Sequence, residues 1–390
     1  MTDTETRLRD YLHTQAATVP DTAQGPGLDE PRRRNHWPVL ATAAAIAFVL
    51  VLTVTVLTRM SPDSAIPVPA GPPPGPVSRA APELPYTVAT RARSSAMIFT
   101  LHDGDRRVRL SGGVTGFSGR VDSGWLGWTM GPRSSSQAGV LKPDGTFRTL
   151  GPERSELPVP SPDRRQIAVI HRVDDAKGSI VVVDVKSGKE VSRSPELPIA
   201  PAQLGWNESG IWYRVDEPAG PNKPTQYSLH VWRPKSDRVA HVTFPEYNGG
   251  LAVPGASDVV GLTTRRGNNR CLKAGVLRDG GFDEVREYCD VAAAATYPVL
   301  SPDGRTMVSS DVKLAIDIRS GKQTRLRLPA NQEVITWPQP VFENVSQLLL
   351  VTQPLGNNRK PVPEQVHRCD VRSGECVAIL MGSQITLHER

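Results

Sequence analysis

The chain has 390 residues, room for two or three ordinary domains, with 38% hydrophobic and only 5% aromatic residues. Its 33 glycines and 36 prolines argue for short elements joined by turns and against a large helical enzyme. A 22% share of charged residues excludes a disordered polyelectrolyte, and the net charge of +6 is spread thinly.

Residues 1–36 read as a short cytoplasmic tail. Asp3 or Thr4 caps a helix to about Ala17, with Leu8, Tyr11 and Leu12 on one face. An isolated helix of that length is marginal in water, so it either frays or docks on a cytoplasmic regulator. Residues 37–58 read as one transmembrane helix. Val39–Leu57 is a run of 19 uncharged residues, and it spans roughly 28 Å, close to the hydrocarbon thickness. Arg32, Arg33 and Arg34 precede it and only Arg59 follows closely, which puts the N-terminus in the cytoplasm and residues 59–390 outside. The rival reading, a cleaved signal peptide, calls for a shorter apolar region and a small-x-small site, and TRMSPDSA is a poor one. Residues 59–85 read as a Pro-rich stalk, with nine prolines between 61 and 85. The basic excess falls outside the cell, so nucleic acid is not expected as a partner. A solvated surface or anionic envelope polymers account for that excess.

The remainder, 86–390, repeats. SPDRRQIAVI with IVVVDVKSGKEV (161–170, 180–191) matches SPDGRTMVSS with LAIDIRSGKQT (301–310, 314–324), and HRCDVRSGECVAI (367–379) echoes the second half. Each copy predicts a hairpin in which Gly supplies a positive φ and alternation buries one face. Asp184, Asp317 and Asp370 open these turns, where a carboxylate bonds nearby amides. The turn markers Gly104, Gly145, Gly188, Asp237, Gly280, Gly321 and Gly374 lie 41, 43, 49, 43, 41 and 53 residues apart. A period of about 40–45 with four short strands per unit is the signature of a propeller, and seven markers predict an all-β fold of about seven four-stranded blades. The first blade is short of a strand, and SQITLHER (383–390) is predicted to complete it and close the ring.

These SPDG motifs and Asp-x-x-Ser-Gly hairpins resemble the TolB-type family of extracytoplasmic, WD-like propellers. The order of tail, arginines, span, stalk and propeller resembles membrane proteins common in actinobacteria. The resemblance implies a propeller and fixes no molecular function.

All four cysteines fall in the propeller. Cys271 and Cys289 lie equally far from Gly280, and Cys369 and Cys376 flank Arg372–Ser373 symmetrically. Equal distance from a turn places residues opposite each other, within reach of a disulfide, and an oxidising exterior permits both. No CxxC or Cys-His spacing suggests a metal cage. No nucleophile elbow, Walker loop, HExxH or dinucleotide fingerprint occurs, so no catalytic, cofactor-binding or metal-ligating residue is singled out and no cofactor is implied. The chain is therefore expected not to be an enzyme. The eight histidines are scattered, and His171 and His230 read as structural. Asp174–Asp175 reads as a solvated turn. Trp125, Trp128, Trp206, Trp212, Trp232 and Trp337 read as inter-blade packing before they read as a carbohydrate face. Asn207 and Asn344 match the glycosylation pattern.

The expected function is a membrane-anchored extracytoplasmic module that binds envelope proteins or polymers without catalysis. The alternative is a transmembrane sensor of anti-sigma type, whose tail contacts a regulator. An envelope hydrolase or quinoprotein is a third reading.

Overall fold

A polypeptide that repeats hairpins of four short strands can bury its sheets only by stacking them, and this one stacks them in a ring. The structure is a computed structural model. It describes residues 76–390 apart from short stretches at 92–96, 111–113, 131–135, 175, 218–224, 243–245, 268, 279–280, 292–297, 310–313, 336–338, 356–362 and 389–390. The expected tail, transmembrane helix and most of the stalk lie outside these residues. Among the described residues no helix is long and apolar enough to cross a membrane.

The described strands form seven antiparallel sheets, the blades, in chain order: 86–109, 114–149, 155–193, 203–242, 247–291, 298–325 and 332–382. Blades 2 to 6 each contain four consecutive strands. Blade 1 takes its edge strand from the other end of the chain: Thr386–Leu387 pairs antiparallel with Thr87 and Tyr86, as the short first blade predicts. In blade 7 the first strand comes in two pieces, Gln332–Val334 and Val341–Phe342, both paired with Gln347–Pro354.

Seven apolar clusters hold the ring, one at each junction between neighbouring blades. Ile167 and Val169 pack toward blade 2, and Ala168 and Ile170 pack toward blade 4. The expectation of hairpins with one buried face is thereby corrected. A blade between two others buries both faces, which is why IAVI and IVVV are continuous apolar runs.

The turn chemistry follows the sequence. Gly104, Gly145, Gly188, Gly321 and Gly374 have φ between +57° and +87°, and Asp237 takes the same region at +49°. Asp184 Oδ1 accepts from the Ser187 amide at 2.7 Å and hydroxyl at 2.6 Å, and Asp317 does the same with Ser320. Asp370 Oδ1 accepts from the Arg372 and Ser373 amides at 3.0 and 2.7 Å. In the SPD motifs a buried serine hydroxyl does the joining. Ser161 Oγ donates to Asp163 at 2.7 Å and accepts from the Gln166 amide at 3.0 Å, and Ser301 pairs likewise with Asp303 and Thr306 at 2.6 and 2.9 Å.

The four cysteines form two pairs at disulfide distance, Cys271–Cys289 and Cys369–Cys376, with Cα atoms 3.9 and 4.1 Å apart. Cys369 and Cys376 are direct partners in register. The other pair needs a correction that symmetry alone does not show. The ladder leaves its turn with Arg278 opposite Gly281, a register that would set Cys271 against Tyr288. A bulge between Ala274 and Gly275 takes up one extra residue on the facing strand and so brings Cys289 level with Cys271.

Residues 76–85, the end of the segment read as a stalk, lie on the propeller. Val77 and Leu84 are buried. The Arg368 guanidinium donates to the carbonyls of Ser78, Ala80 and Ala81 at 2.7, 2.9 and 3.1 Å. It also forms a two-pronged pair with Glu343, at 2.6 and 2.9 Å, and both side chains are at most 2% exposed.

Candidate functional site

The first strands of blades 2 to 7 face one another around the ring axis and enclose a cavity of about 470 Å³. The lining includes the turns that follow first strands, among them Pro162, Arg164, Pro254 and Pro302, so the cavity lies at that end of the ring. Several of these strands depart from regular pleating. The first strands of blades 2, 3 and 5 carry register shifts, and blade 7 holds six residues against two between its paired pieces. Gln339 and Pro340, from that insertion, line the cavity.

The wall is aliphatic and prolyl, with Val159, Leu204, Val253, Leu300 and Phe342 beside Pro160, Pro254, Pro298 and Pro340. Its polar groups are mostly committed. Ser118 Oγ donates to the Pro158 carbonyl, and Ser161 Oγ to Asp163. The Ser161 hydroxyl and the Arg165 amide hold the Asp163 carboxyl below the ordinary carboxylate range. Gln203 Nε2 donates to the Leu251 carbonyl at 2.7 Å, and its Oε1 accepts from Arg214 at 3.2 Å. Glu343 is neutralised by Arg368.

Arg164 is different. It lines the cavity, is exposed, and among the described residues has no carboxylate partner. Its φ is +60°, the left-handed conformation that the matched repeat gives to Gly304 at +66°. A non-glycine residue there costs about 1 kcal/mol. Gly304 has its own reason to lack a side chain, since a Cβ would meet Ser257 Oγ at 2.2 Å. An arginine held in a left-handed conformation at the rim of an apolar chamber sets one positive charge beside apolar surface. Arg164→Gly is expected to raise the unfolding midpoint by about 1–3 °C, from the relieved strain, while weakening retention of anionic ligands.

The residues singled out from sequence divide as follows. Trp125, Trp212 and Trp232 are at most 2% exposed and anchor blade junctions. Their indole N–H groups donate to Asp103, Asn207 and Asp237 at 3.1, 3.0 and 3.3 Å. Trp206 also packs at a junction, and in addition it lines the cavity, a role sequence reasoning gave to no single tryptophan. Trp128 is half-buried, and Trp337 lies outside the described residues. Asp174 closes a local turn through the Ala176 and Lys177 amides at 2.8 and 2.6 Å, and Asp175 lies outside the described residues. The Asn207 amide is buried and bonded to Ser257 and Trp212, which withdraws it from modification, while Asn344 is exposed. His171 bonds Arg193 at 3.0 Å, and burial together with that guanidinium pushes its pKa down. Among the described residues, Cys271, Glu287 and Cys289 are the one group of three possible metal donors within 4.8 Å of each other. There the two sulfurs bond one another and Glu287 faces Lys273 at 3.2 Å.

No protein-family model matches the chain, and no curated protein matches its sequence. Solved structures do match. The β-propeller domain of the Trilobed protease from Pyrococcus furiosus is similar at a TM-score of 0.54 and 9% identity, over 76% of this chain and 94% of that one. The computationally designed Ika8 protein is similar at 0.50 and 12%, over 79% and 90%. An acylaminoacyl peptidase from Pyrococcus horikoshii is similar at 0.53 and 9%, over 77% of this chain, which spans 52% of the peptidase. At these identities the likeness is one of fold. It nevertheless corrects the expectation that the chain is not an enzyme. The same fold occurs within a peptidase, so a propeller without a familiar catalytic motif does not exclude catalysis, and catalytic activity is possible here. The chain folds as a seven-bladed β-propeller with propeller structures as its neighbours.

Proposed function

We propose that this chain is a membrane-tethered, extracytoplasmic binding module of TolB-like type, whose propeller takes an envelope ligand or partner at its central cavity. The observation that carries the reading is the cavity: six first strands converge on an apolar chamber with exposed Arg164 at its rim, which among the described residues has no carboxylate partner. Such a chamber selects by shape and by a single charge. Two further features support the placement outside the cell. The uncharged run Val39–Leu57 follows three arginines, and the four cysteines pair as disulfides do in oxidising compartments.

The test places a photo-crosslinking residue at Trp206, and as a control at exposed Val239 on an outer strand, in full-length protein in native membranes. The expected result is a discrete adduct from position 206, absent from 239 and reduced in Arg164→Gly. Identical adduct patterns from both positions overturn the reading. Repeating the capture without residues 2–30 separates it from the sensor alternative: adducts retained without the tail support recruitment by the propeller, and adducts lost with it move the function inside.

A further inference from the structure

The third and fourth strands of blade 5, Asn269–Arg278 and Gly281–Val291, bring Cys271 level with Cys289, and their register sets Lys273 opposite Glu287. Side chains two residues apart in a strand share a face, so Glu287 lies on the side of the blade that carries the sulfurs. The two sulfurs and a Glu287 oxygen all lie within 4.8 Å of one another. Two cations hold Glu287, Lys273 Nζ at 3.2 Å and Arg266 at 3.3 Å. Neither depends on it alone. Lys273 also meets Glu284 at 3.1 Å and Glu246 at 3.5 Å, and Arg266 is exposed to water. A shift of Glu287 toward the sulfurs therefore strands no buried charge. Cys271 is buried, whereas Cys289 is half-buried on the outermost strand, so the bond is open to attack at Cys289. Cys369–Cys376 provides the contrast, since among the described residues no third donor lies within that distance of its sulfurs.

We propose that Cys271, Cys289 and Glu287 form a Zn²⁺ site that exists only while the disulfide is open. The reductant is a dithiol. Its first thiolate attacks Cys289 Sγ, the bond to Cys271 breaks, and Cys271 leaves with the electron pair and takes up a proton. Its second thiolate attacks the mixed disulfide, which frees Cys289 and closes the reductant's own disulfide. Two electrons have then passed to the pair, and the two protons the dithiol gave up are balanced by those on Cys271 and Cys289. Zn²⁺ displaces both thiol protons into solvent and binds the two thiolates and a Glu287 oxygen, with water as the fourth ligand. A tetrahedral ion holds two sulfurs about 3.8 Å apart, a separation that rotation about the Cα–Cβ bonds supplies. Two thiolates select Zn²⁺ over Mg²⁺ or Ca²⁺. Reoxidation of the pair expels the ion, so occupancy follows the thiol state of the compartment. The proposal is independent of the central cavity.

The test uses the full-length chain, freed of metal by dialysis against a chelator and divided into an oxidised sample and one reduced with a phosphine. Each is titrated with Zn²⁺, and with Co²⁺ as a spectroscopic probe. The reduced chain is expected to bind one ion and to show a sulfur-to-cobalt charge-transfer band in the near ultraviolet, and the oxidised chain to do neither. The double change Cys271→Ser, Cys289→Ser is expected to abolish the band, and Cys369→Ser, Cys376→Ser to leave it. Glu287→Gln is expected to keep the band and weaken binding about tenfold or more. Labelling with iodoacetamide gives a reading that needs no variant: Zn²⁺ is expected to slow modification of Cys289 about tenfold in the reduced chain and to leave Cys376 unaffected. Stoichiometric binding by the oxidised chain overturns the proposal, as does an unchanged ion count in the Cys271→Ser, Cys289→Ser chain. Unchanged affinity in Glu287→Gln, or a Cys289 labelling rate that Zn²⁺ does not alter, overturns it too. So does a reduced chain that loses its near-ultraviolet dichroism and does not regain it with Zn²⁺.

Discussion

Replacing Glu343 with methionine is expected to lower the unfolding midpoint of the propeller by on the order of 5–10 °C and to open the Arg79 peptide bond to trypsin. The pair it breaks is fully buried, with Arg368 at 2% and Glu343 at 1% exposure. Removing one partner leaves an uncompensated guanidinium away from water, at a cost of about 3–5 kcal/mol. Glu343 also accepts from the Glu83 amide at 2.5 Å, so the same change loosens the entering segment directly. Arg79 is exposed between Ser78 and Ala80, whose carbonyls Arg368 holds. The double change Glu343→Met, Arg368→Met separates the two effects. An apolar pair of similar volume recovers most of the global stability, because no charge stays buried. It does not recover protection at Arg79, because the Ser78, Ala80 and Ala81 carbonyls have lost their donor. Thermal unfolding and timed proteolysis read the two quantities separately. A midpoint for Glu343→Met equal to that of the unaltered chain would sink the argument.

The parts of this fold that were legible from sequence are the local ones. A hairpin turn needs a left-handed residue and an acceptor for its amides, and each need is met within four residues, as at Asp184–Gly188 and Asp317–Gly321. Seven turn markers 41 to 53 residues apart in the sequence give the blade count, and the shortage of strands before Gly104 gives the closing strand. Relations set by register are harder. Cys271 and Cys289 fit the symmetry rule only because a bulge offsets a turn centred half a residue from Gly280. The same rule applied to the hairpin of blade 4 would have paired His230 with His241. Both lie equally far from the turn at Lys235–Ser236, yet eleven residues apart in sequence they read as unrelated.

The cavity was illegible for a different reason. Its wall comes from six first strands tens of residues apart, and bulges in several of them decide its shape. Arg164 carried a faint signal. SPDRR stands where its sister repeat has SPDGR, so an arginine occupies a position built for glycine. The clamp on the entering segment carried none. Composition alone makes 76–85 resemble the prolines before it, and it takes the buried pair 25 residues apart in blade 7, with the burial of Val77 and Leu84, to show that this stretch is fastened.

Removing residues 383–390 is expected to leave a chain that does not unfold cooperatively. Ile385 and Leu387 are at most 4% exposed and belong to the cluster joining blades 7 and 1. Each deletion of such a side chain costs about 2–5 kcal/mol, and the loss of Thr386–Leu387 also bares the edge at Tyr86–Thr87. His388 completes the closure and makes it sensitive to acid. Its amide donates to the Pro85 carbonyl at 3.0 Å, Nε2 lies 3.2 Å from Thr87 Oγ1, and its ring meets Phe117 edge-on at 5.0 Å. Burial pushes its pKa from 6.5 down to about 3, against a smaller opposing effect from a backbone bond to Phe117. The unfolded chain therefore binds a proton that the folded chain refuses between those two values. Stability falls as the pH drops below 6.5, at up to about 1.4 kcal/mol per pH unit from this one group. Between pH 6.5 and 5 that amounts to about 2 kcal/mol. Asp163 and Asp184, whose pKa values are lowered, stay ionised throughout that window, and His102, His171 and His230 add the same sign from less buried sites. Urea unfolding at half-unit steps over this range, in the unaltered chain and in His388→Leu, isolates the effect. The leucine variant is expected to start less stable near neutrality, having lost the Thr87 contact, and to lose far less on acidification. Equal slopes in the two chains would show that His388 takes up its proton at the same pH in the folded and unfolded chains, and that the ring is shut by Ile385 and Leu387 alone.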